Sequence, residues 1–388
     1  MAERHYRHKL KFGVSRNSLV LGESFGARKV RRLSKVSFPF FDAVIVPSAR
    51  GADSVLRAAV SARNAGAYLV VLPSRRTTVS STIDMLADHG WPEGSYLVAS
   101  LDTEALFRLS LNSMGEQFAA AGFSDVALKR NVGLMLARTM GWKSILFIDD
   151  DVQAMNWSQL RKTAGLLRGI DRGGCSRRAV GWAFSDFPDF SVVGHALRFG
   201  RDVEAALAGG GALAVDCDSV LPFFPSVYNE DHLFLLALLL TDPYSVGLAG
   251  SLNQDEYDPF GDTRRGVYQE FGDVLSYGLY QLFFEEISMD VAGLPDYWAA
   301  VLAYRRVLMG HSTARLLQLG VENGVECLRM AEEQHCDDWP NLLAGYFLSW
   351  IDDLRSWAGM LDALPQVGNV RQAAEMLGLS LSGKVCEL

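Results

Sequence analysis

The chain has 388 residues, 49% of them hydrophobic and 21% charged, enough to enclose a large core as one domain with an appendage or as two domains. A formal net charge of -8 excludes a general nucleic-acid binder, which presents a basic face. Five cysteines, at 175, 217, 327, 336 and 386, form no Cys-x-x-Cys pair, and an odd, scattered set reads as the reduced thiols of a cytoplasmic protein.

In chain order, residues 1–40 form a polar, basic lead-in. Its opening "MAERHYRHKLKFG" has no apolar core and so is not a secretory signal. Its basic run "ARKVRRLSK" reads as a solvated arm. From residue 41 strand and helix alternate. "DAVIVPS" (42–48) is a short strand ended by Pro and Ser. "DSVLRAAVSARNAG" (53–66) is a helix with an Asp N-cap and a Gly stop. "AYLVVLPS" (67–74) is a second buried strand. "STIDMLADHG" (81–90) is a helix with a capping box of Ser81 and Asp84, and "SYLVAS" (95–100) is a third strand. A long helix is expected from there through about residue 121. In "KRNVGLMLARTMG" (129–141), Val132, Met135, Leu136 and Met140 share one helical face, and "SILFI" (144–148) is the next strand.

This alternation predicts a parallel sheet with helices on both faces, spanning about residues 41–250. Beyond it, 251–388 should be mostly helical, most clearly from about residue 285. "YWAAVLAYRRVLMG" and "NLLAGYFLSWIDDLRSWAGML" are its strongest stretches, and their Leu, Phe and Trp residues read as packing. The longest apolar run, "LFLLALLL" (233–240), is too short to cross a bilayer as a helix. A soluble, intracellular protein is expected.

One stretch resists a purely structural reading. "SILFIDDDV" drives an apolar strand into three adjacent carboxylates, Asp149, Asp150 and Asp151. Like charges so placed repel one another unless a cation removes the objection. Hard oxygen donors at a strand end suit Mg²⁺ or Mn²⁺, which keep water and bridge to the phosphates of a nucleotide. In parallel sheets ligands lie beyond the carboxyl ends of the strands, where this triplet falls.

The segment "RNVGLMLARTMGWKSILFIDDDV" resembles the donor-site segment of family 2-like glycosyltransferases of the GT-A fold. "DAVIVPSAR" is similar to their first strand, and "GGGALAVDCDSVLPFFPSVYNEDHLF" (209–234) to their acceptor-side segment, in which a small-residue loop precedes a strand and an acid pair opens a helix. The resemblance covers roughly residues 42–240. It implies a GT-A-like domain and a metal-dependent transfer of sugar from a nucleotide-diphosphate donor to a soluble hydroxyl-bearing acceptor. By that resemblance Pro47, Ser48 and Arg50 would line the nucleotide pocket and Arg130 would approach the base or diphosphate. Asp149 and Asp150 would hold the nucleotide sugar. Asp151, with Asp149 and a late histidine at His311, would bind the metal. Gly209, Gly210, Gly211 and His195 would face the acceptor, with Asp189 and His195 on a loop before the glycines. Asp231, beside Glu230, would deprotonate the acceptor hydroxyl in an inverting reaction. Where the family carries acids after its second strand this chain has Ser74, Arg75 and Arg76, which leaves the donor base, UDP or GDP, open.

Two other readings fit parts of the pattern. Haloacid-dehalogenase-like phosphatases carry Asp-x-Asp after an apolar strand, with Asp149 then the nucleophile and Asp151 the general acid. A non-catalytic nucleotide-sugar-binding domain would keep the same acids without turnover. The charged loop "DEYDPFGDTRRG" (255–266) reads as a lid over the donor or as an ordinary flexible loop.

Overall fold

The structure, a computed structural model, describes residues 38–101, 125–169, 177–184, 190–199 and 209–381. The basic lead-in, most of the helix expected before residue 121, and Asp189 lie outside the described residues.

The elements follow in the predicted order: β1 (Ala43–Ser48), α1 (Ala52–Ala65), β2 (Tyr68–Pro73), α2 (Val79–Asp88), β3 (Tyr96–Val98), β4 (Ser100–Leu101), α3 (Val126–Met140), β5 (Ser144–Ile148), α4 (Trp157–Arg168), β6 (Ala179–Phe184), α5 (Val192–Leu197), β7 (Gly209–Asp216), α6 (Glu230–Thr241) and β8 (Val246–Leu252). Helices then dominate: α7 (Arg265–Phe284), a 3-10 turn (Met289–Gly293), α8 (Pro295–Leu319), α9 (Glu322–Glu332), α10 (Trp339–Ala363) and α11 (Val370–Met376), before a short β9 (Leu379–Ser380).

Seven strands form one sheet in the order β3-β2-β1-β5-β7-β6-β8. β1, β2, β3 and β5 run parallel, as do β6 and β8, while β7 lies antiparallel to both β5 and β6. Strand residues alternate between two cores. Val44, Val46, Leu146 and Ile148 pack with α1, α2 and α4, whereas Ile45, Phe147, Leu213 and Val215 pack with α3 and α6. The second core runs on without a break into α7, α8 and α10, taking in Trp298, Tyr346, Trp350 and Trp357. The C-terminal helices therefore cover one face of the sheet, and β9 returns to pair with β4. Trp357 seals the junction by donating its indole N–H to the Leu221 carbonyl at 2.9 Å.

Several details differ from expectation. α1 begins at Ala52 with Gly51 as its N-cap, so Asp53 lies within the first turn and does not cap it. α2 begins at Val79, because the Thr78 hydroxyl accepts the Ser81 N–H at 3.2 Å while Ser81 Oγ accepts the Thr78 N–H at 3.3 Å, so the capping box is Thr78 with Ser81. The helical region starts at Arg265, twenty residues before the reading from sequence. Residues 192–197, expected as loop, form the short helix α5, opened by Ser191, whose hydroxyl accepts the Gly194 N–H at 2.8 Å.

The strand order turns back at β1. From there the chain builds outward through β2 and β3 on one side, and returns on the other side with β5. A crevice opens at such a switch point beyond the carboxyl ends of the two strands. Ser48 ends β1 and Asp149 follows β5 at this point.

Candidate active site

Each of the three strand-end carboxylates has a different set of partners. Asp150, 6% exposed, serves the loop after β1. Its Oδ2 accepts from Ser48 Oγ at 2.9 Å, from the Ala49 and Arg50 N–H groups at 2.9 and 3.1 Å, and from Ser54 Oγ at 3.3 Å. Gly51 donates its N–H to Thr77 Oγ1 at 2.9 Å, and Thr77 lies 3.0 Å from Ser48 Oγ. Lys129, itself buried, donates to the Ser48 carbonyl at 2.9 Å and to Ser74 Oγ at 2.7 Å, and pairs with Asp125 at 3.1 Å. Pro47 and Ser48 are therefore enclosed strand residues, and Asp150 holds the loop that follows them. The loop contacts occupy Asp150 Oδ2, while its Oδ1 faces Arg50.

Asp149 turns the other way. Both of its oxygens accept from Arg130 Nη2 at 2.9 Å, and Arg130 Nη1 donates to Glu230 Oε1 at 2.5 Å. Arg130 is 2% exposed. A guanidinium so enclosed and so occupied cannot reach a nucleotide base or diphosphate as expected; it ties the strand-end acids to the acid pair at the start of α6.

Asp151 is paired with Arg50. Arg50 Nη1 lies 2.7 Å from its Oδ2, and Arg50 Nε lies 3.6 Å from Asp150 Oδ1. The Arg50 side chain is 53% exposed and that of Asp151 14%. A movable cationic side chain thus stands over two hard oxygen donors, as a stand-in for a cation. Among the described residues no group of three or more His, Cys, Asp or Glu gathers in metal-binding fashion. That donor set still fits Mg²⁺ or Mn²⁺, which are commonly held by one or two carboxylates and complete their shell with water and ligand phosphates. His311 lies exposed within α8 and joins no such group.

The acid pair is built by β7. Gly210 donates its N–H to Asp231 Oδ2 at 2.5 Å, and the N–H of His232 lies 2.9 Å from Asp231 Oδ1. A Cβ on Gly210 would stand 2.6 Å from Arg130 Nη1 and 2.8 Å from Asp231 Cβ, and one on Gly211 would stand 2.7 Å from the Phe184 ring. The glycines expected to form an acceptor loop are strand residues. The missing side chain of Gly210 makes room for Arg130 and Asp231, and that of Gly211 for the Phe184 ring. Asp149 is stitched to the same strand, its N–H donating to the Gly211 carbonyl at 2.8 Å.

Charge follows these contacts. Burial pushes Asp149 up to about 6 and Glu230 up to about 8, and Arg130 only partly offsets the push, since Asp151 raises the first and Asp231 the second. Burial acts on Asp231 in the same sense, but His232, Arg130 and the backbone N–H groups of Gly210 and His232 outweigh it and hold this carboxyl below its ordinary range. Of the adjacent pair, Glu230 is the member raised and Asp231 the member lowered. His195 is buried on α5, edge-on to Phe190 and Tyr257, and burial with Arg198 and Arg265 lowers it to about 4.

Several residues of the site carried no reading in the sequence. Lys129 precedes Arg130 and was not separable from it by pattern. Ser54, Thr77 and Arg57 act through loops that only the fold brings together. Arg57 pairs with Asp255 through both nitrogens at 2.6 Å and donates to the Asp150 carbonyl at 3.2 Å. The Asp255 N–H donates to the Asp151 carbonyl at 3.0 Å. The start of the loop 255–266 is thereby fixed beside the triplet.

No family model matches the chain, and no curated protein matches it. Among solved structures it is similar to glucosyl-3-phosphoglycerate synthase from Mycobacterium tuberculosis in complex with Mn²⁺, UDP and glucosyl-3-phosphoglycerate, at 17% identity and a TM-score of 0.39 over 65% of this chain and 82% of that one. It is similar also to the same enzyme with Mg²⁺ and UDP, at 18% identity, the same TM-score and the same coverage. Overlap at this level assigns neither activity nor ligand to this chain.

Proposed function

We propose that the protein is a metal-dependent glycosyltransferase of GT-A type that moves a sugar from a nucleotide-diphosphate donor to a hydroxyl of a soluble acceptor, with inversion. The observation that carries this reading is Arg130, whose one guanidinium gathers the acids after β5 and the acid pair of α6, remote in sequence, into a single site at the switch point of the sheet. Sugar transfer needs two charged centres: one for the leaving diphosphate and one carboxylate for the attacking hydroxyl. Asp151, helped by Asp150 Oδ1, would hold Mg²⁺ or Mn²⁺. Bound there, the ion would neutralise the charge that develops on the diphosphate. Arg50 covers Asp151 in the meantime and is free to swing onto a phosphate oxygen.

Asp231 takes the proton. Its two accepted N–H bonds fix the plane of the carboxylate and favour its charged form, and a carboxylate retains lone pairs for a third partner. Glu230, protonated more readily, and Asp149 keep Arg130 in place. None of the helices among the described residues is long and apolar enough to cross a membrane, in keeping with an acceptor met in solution.

The test is a screen of nucleotide sugars with Mn²⁺ for slow release of nucleoside diphosphate. Release from donors of one base is expected. Binding of a nucleotide sugar without turnover of any would leave a binding domain, and absence of both would remove the reading. NMR of the product anomer then decides the stereochemistry, since a retained configuration takes the base role from Asp231.

A further inference from the structure

Glu230 and Asp231 open α6, yet this helix has no side-chain cap at its start. Asn229 occupies the N-cap position and donates its amide to Asp273 Oδ1 at 3.2 Å instead. Asn229 also adopts a left-handed backbone, with φ of 63°. A residue bearing a side chain keeps that conformation only where its surroundings impose it, and such residues gather at functional sites.

One face of α7 imposes it. Asp273, Ser276 and Tyr280 recur at helical spacing and so point to the same side. Ser276 Oγ lies 3.2 Å from His232 Nδ1, and the Tyr280 hydroxyl donates to the His232 carbonyl at 3.0 Å. α7 can approach this closely because Gly272 has no side chain: a Cβ there would stand 2.1 Å from the Tyr228 carbonyl oxygen. The acid pair is thus held on both flanks, through Asn229 before it and His232 after it.

Behind Asp273 stands a second set of charges. Its Oδ2 accepts from Arg305 and, at 2.8 Å, from Ser191 Oγ. Arg305 also donates to both oxygens of Glu270, at 3.0 and 2.7 Å, and His335 Nε2 lies 2.8 Å from Glu270 Oε1. Glu270, Arg305 and His335 are all buried. They come from α7, α8 and the turn after α9, so three C-terminal elements converge on the residue that orients Asn229.

We infer that Asp273, Ser276 and Tyr280 are positioning residues for the acid pair, and that the Arg305–Glu270–His335 assembly makes the C-terminal helices a working part of the site. The inference rests on reading Asp231 as the general base. These residues act through Asn229 and His232, setting where the carboxylate points; displacement of a reacting group by about 1 Å commonly costs about 10²-fold in rate.

Two full-length variants test this. Ser276→Ala combined with Tyr280→Phe removes two hydroxyls and leaves the packing intact, and Asp273→Asn keeps shape while removing charge. In either, exchange of the amides at 230–233 should accelerate by about 10-fold, the scale of one lost hydrogen bond, and by more than the amides of β1 and β5. The kcat for transfer or donor hydrolysis should fall by about 10-fold or more with the affinity for the Mn²⁺-nucleoside diphosphate unchanged. Wild-type exchange at 230–233, uniform acceleration along the chain, or accelerated exchange with wild-type kcat would each overturn the inference, leaving α7 as packing alone. If the wild-type protein turns over no nucleotide sugar, the transferase reading fails by itself, and the exchange measurement still decides whether α7 fixes the pair.

Discussion

Two buried arginines, Arg130 beside the sheet and Arg305 among the C-terminal helices, each bind two carboxylates, and the company they keep differs. Around Arg130 the acids outnumber the bases: Asp149 and Glu230 touch it, Asp231 adjoins, and burial with mutual repulsion drives Asp149 and Glu230 upward. Around Arg305 two carboxylates, Glu270 and Asp273, share the guanidinium, and His335 adds a hydrogen bond to Glu270. Burial would raise Glu270 too, but Arg305 and a hydrogen bond from His335 more than offset it and hold that carboxyl below its ordinary value. Similar components thus give two outcomes. Glu270 is lowered beside Arg305, whereas beside Arg130 the further acids Asp151 and Asp231 help to raise Asp149 and Glu230, a surplus of negative charge that a cation or a proton can meet. Surplus of that kind marks a functional site more often than a structural one.

The contrast can be broken at several points. The largest effect is expected at the surplus site, on rate. Asp231→Asn should lower kcat by about 10² to 10⁴, the usual contribution of a general base, with donor affinity nearly unchanged. Steady-state kinetics with calorimetry of the donor checks both, and a parallel loss of affinity would speak against a base. At the Arg305 site the effect falls on stability instead. Arg305→Met leaves the fully enclosed Glu270 without its main partner and should destabilise the fold by about 3–5 kcal/mol, read from chemical denaturation. A loss of only a few tenths would mean that Glu270 does not depend on Arg305.

The two sites also predict opposite slopes with pH. Glu230 is raised from 4.5 to about 8, so the folded chain keeps a proton that the unfolded chain releases. Its contribution to stability is full below 4.5 and is lost as pH rises through about 8. Glu270 is lowered, so its contribution is present above 4.5 and is lost as pH falls through its depressed value. Denaturation of the wild type and of Glu230→Gln across the window from 4.5 to 8 should show a falling component that the variant lacks. Identical slopes would contradict the assignment.

Much of the sheet half was legible because its signals are local. β5 runs from Ser144 to Ile148 as the apolar run before the triplet indicated, and the stops read at Gly66 and Gly141 are left-handed C-caps, with φ of 68° and 65°. The antiparallel direction of β7 has no local signature, and the glycines at its start read as loop because glycine weakens a strand. What glycine provides here is room for Arg130, a partner remote in sequence. α7 lies within the region expected to be mostly helical, but its own sequence marks it weakly for the same reason. Gly266, Gly272 and Gly278 lower its helical propensity, yet each lies where a Cβ would meet the Cys327 carbonyl, the Tyr228 carbonyl or the Trp298 ring at 2.5 Å or less. The acids could be found from sequence, since charge beside an apolar run is visible there. The distinction between Asp150 as loop anchor, Asp149 as the partner of buried Arg130 and Asp151 as the partner of exposed Arg50 depends on contacts which only folding supplies.

The central claim, that the surplus charge after β5 is there to meet a cation carrying a nucleotide diphosphate, is tested most directly by calorimetric titration of UDP and GDP with and without Mn²⁺, on the wild type and on Asp151→Asn. The account predicts that one of the nucleotides binds the wild type only when Mn²⁺ is present. It predicts further that Asp151→Asn abolishes this binding while folding stability is unchanged or slightly raised, since one of three adjacent like charges is gone. Binding to Asp151→Asn with wild-type affinity and metal dependence, or no binding of either nucleotide to the wild type in the presence of Mn²⁺, would contradict it.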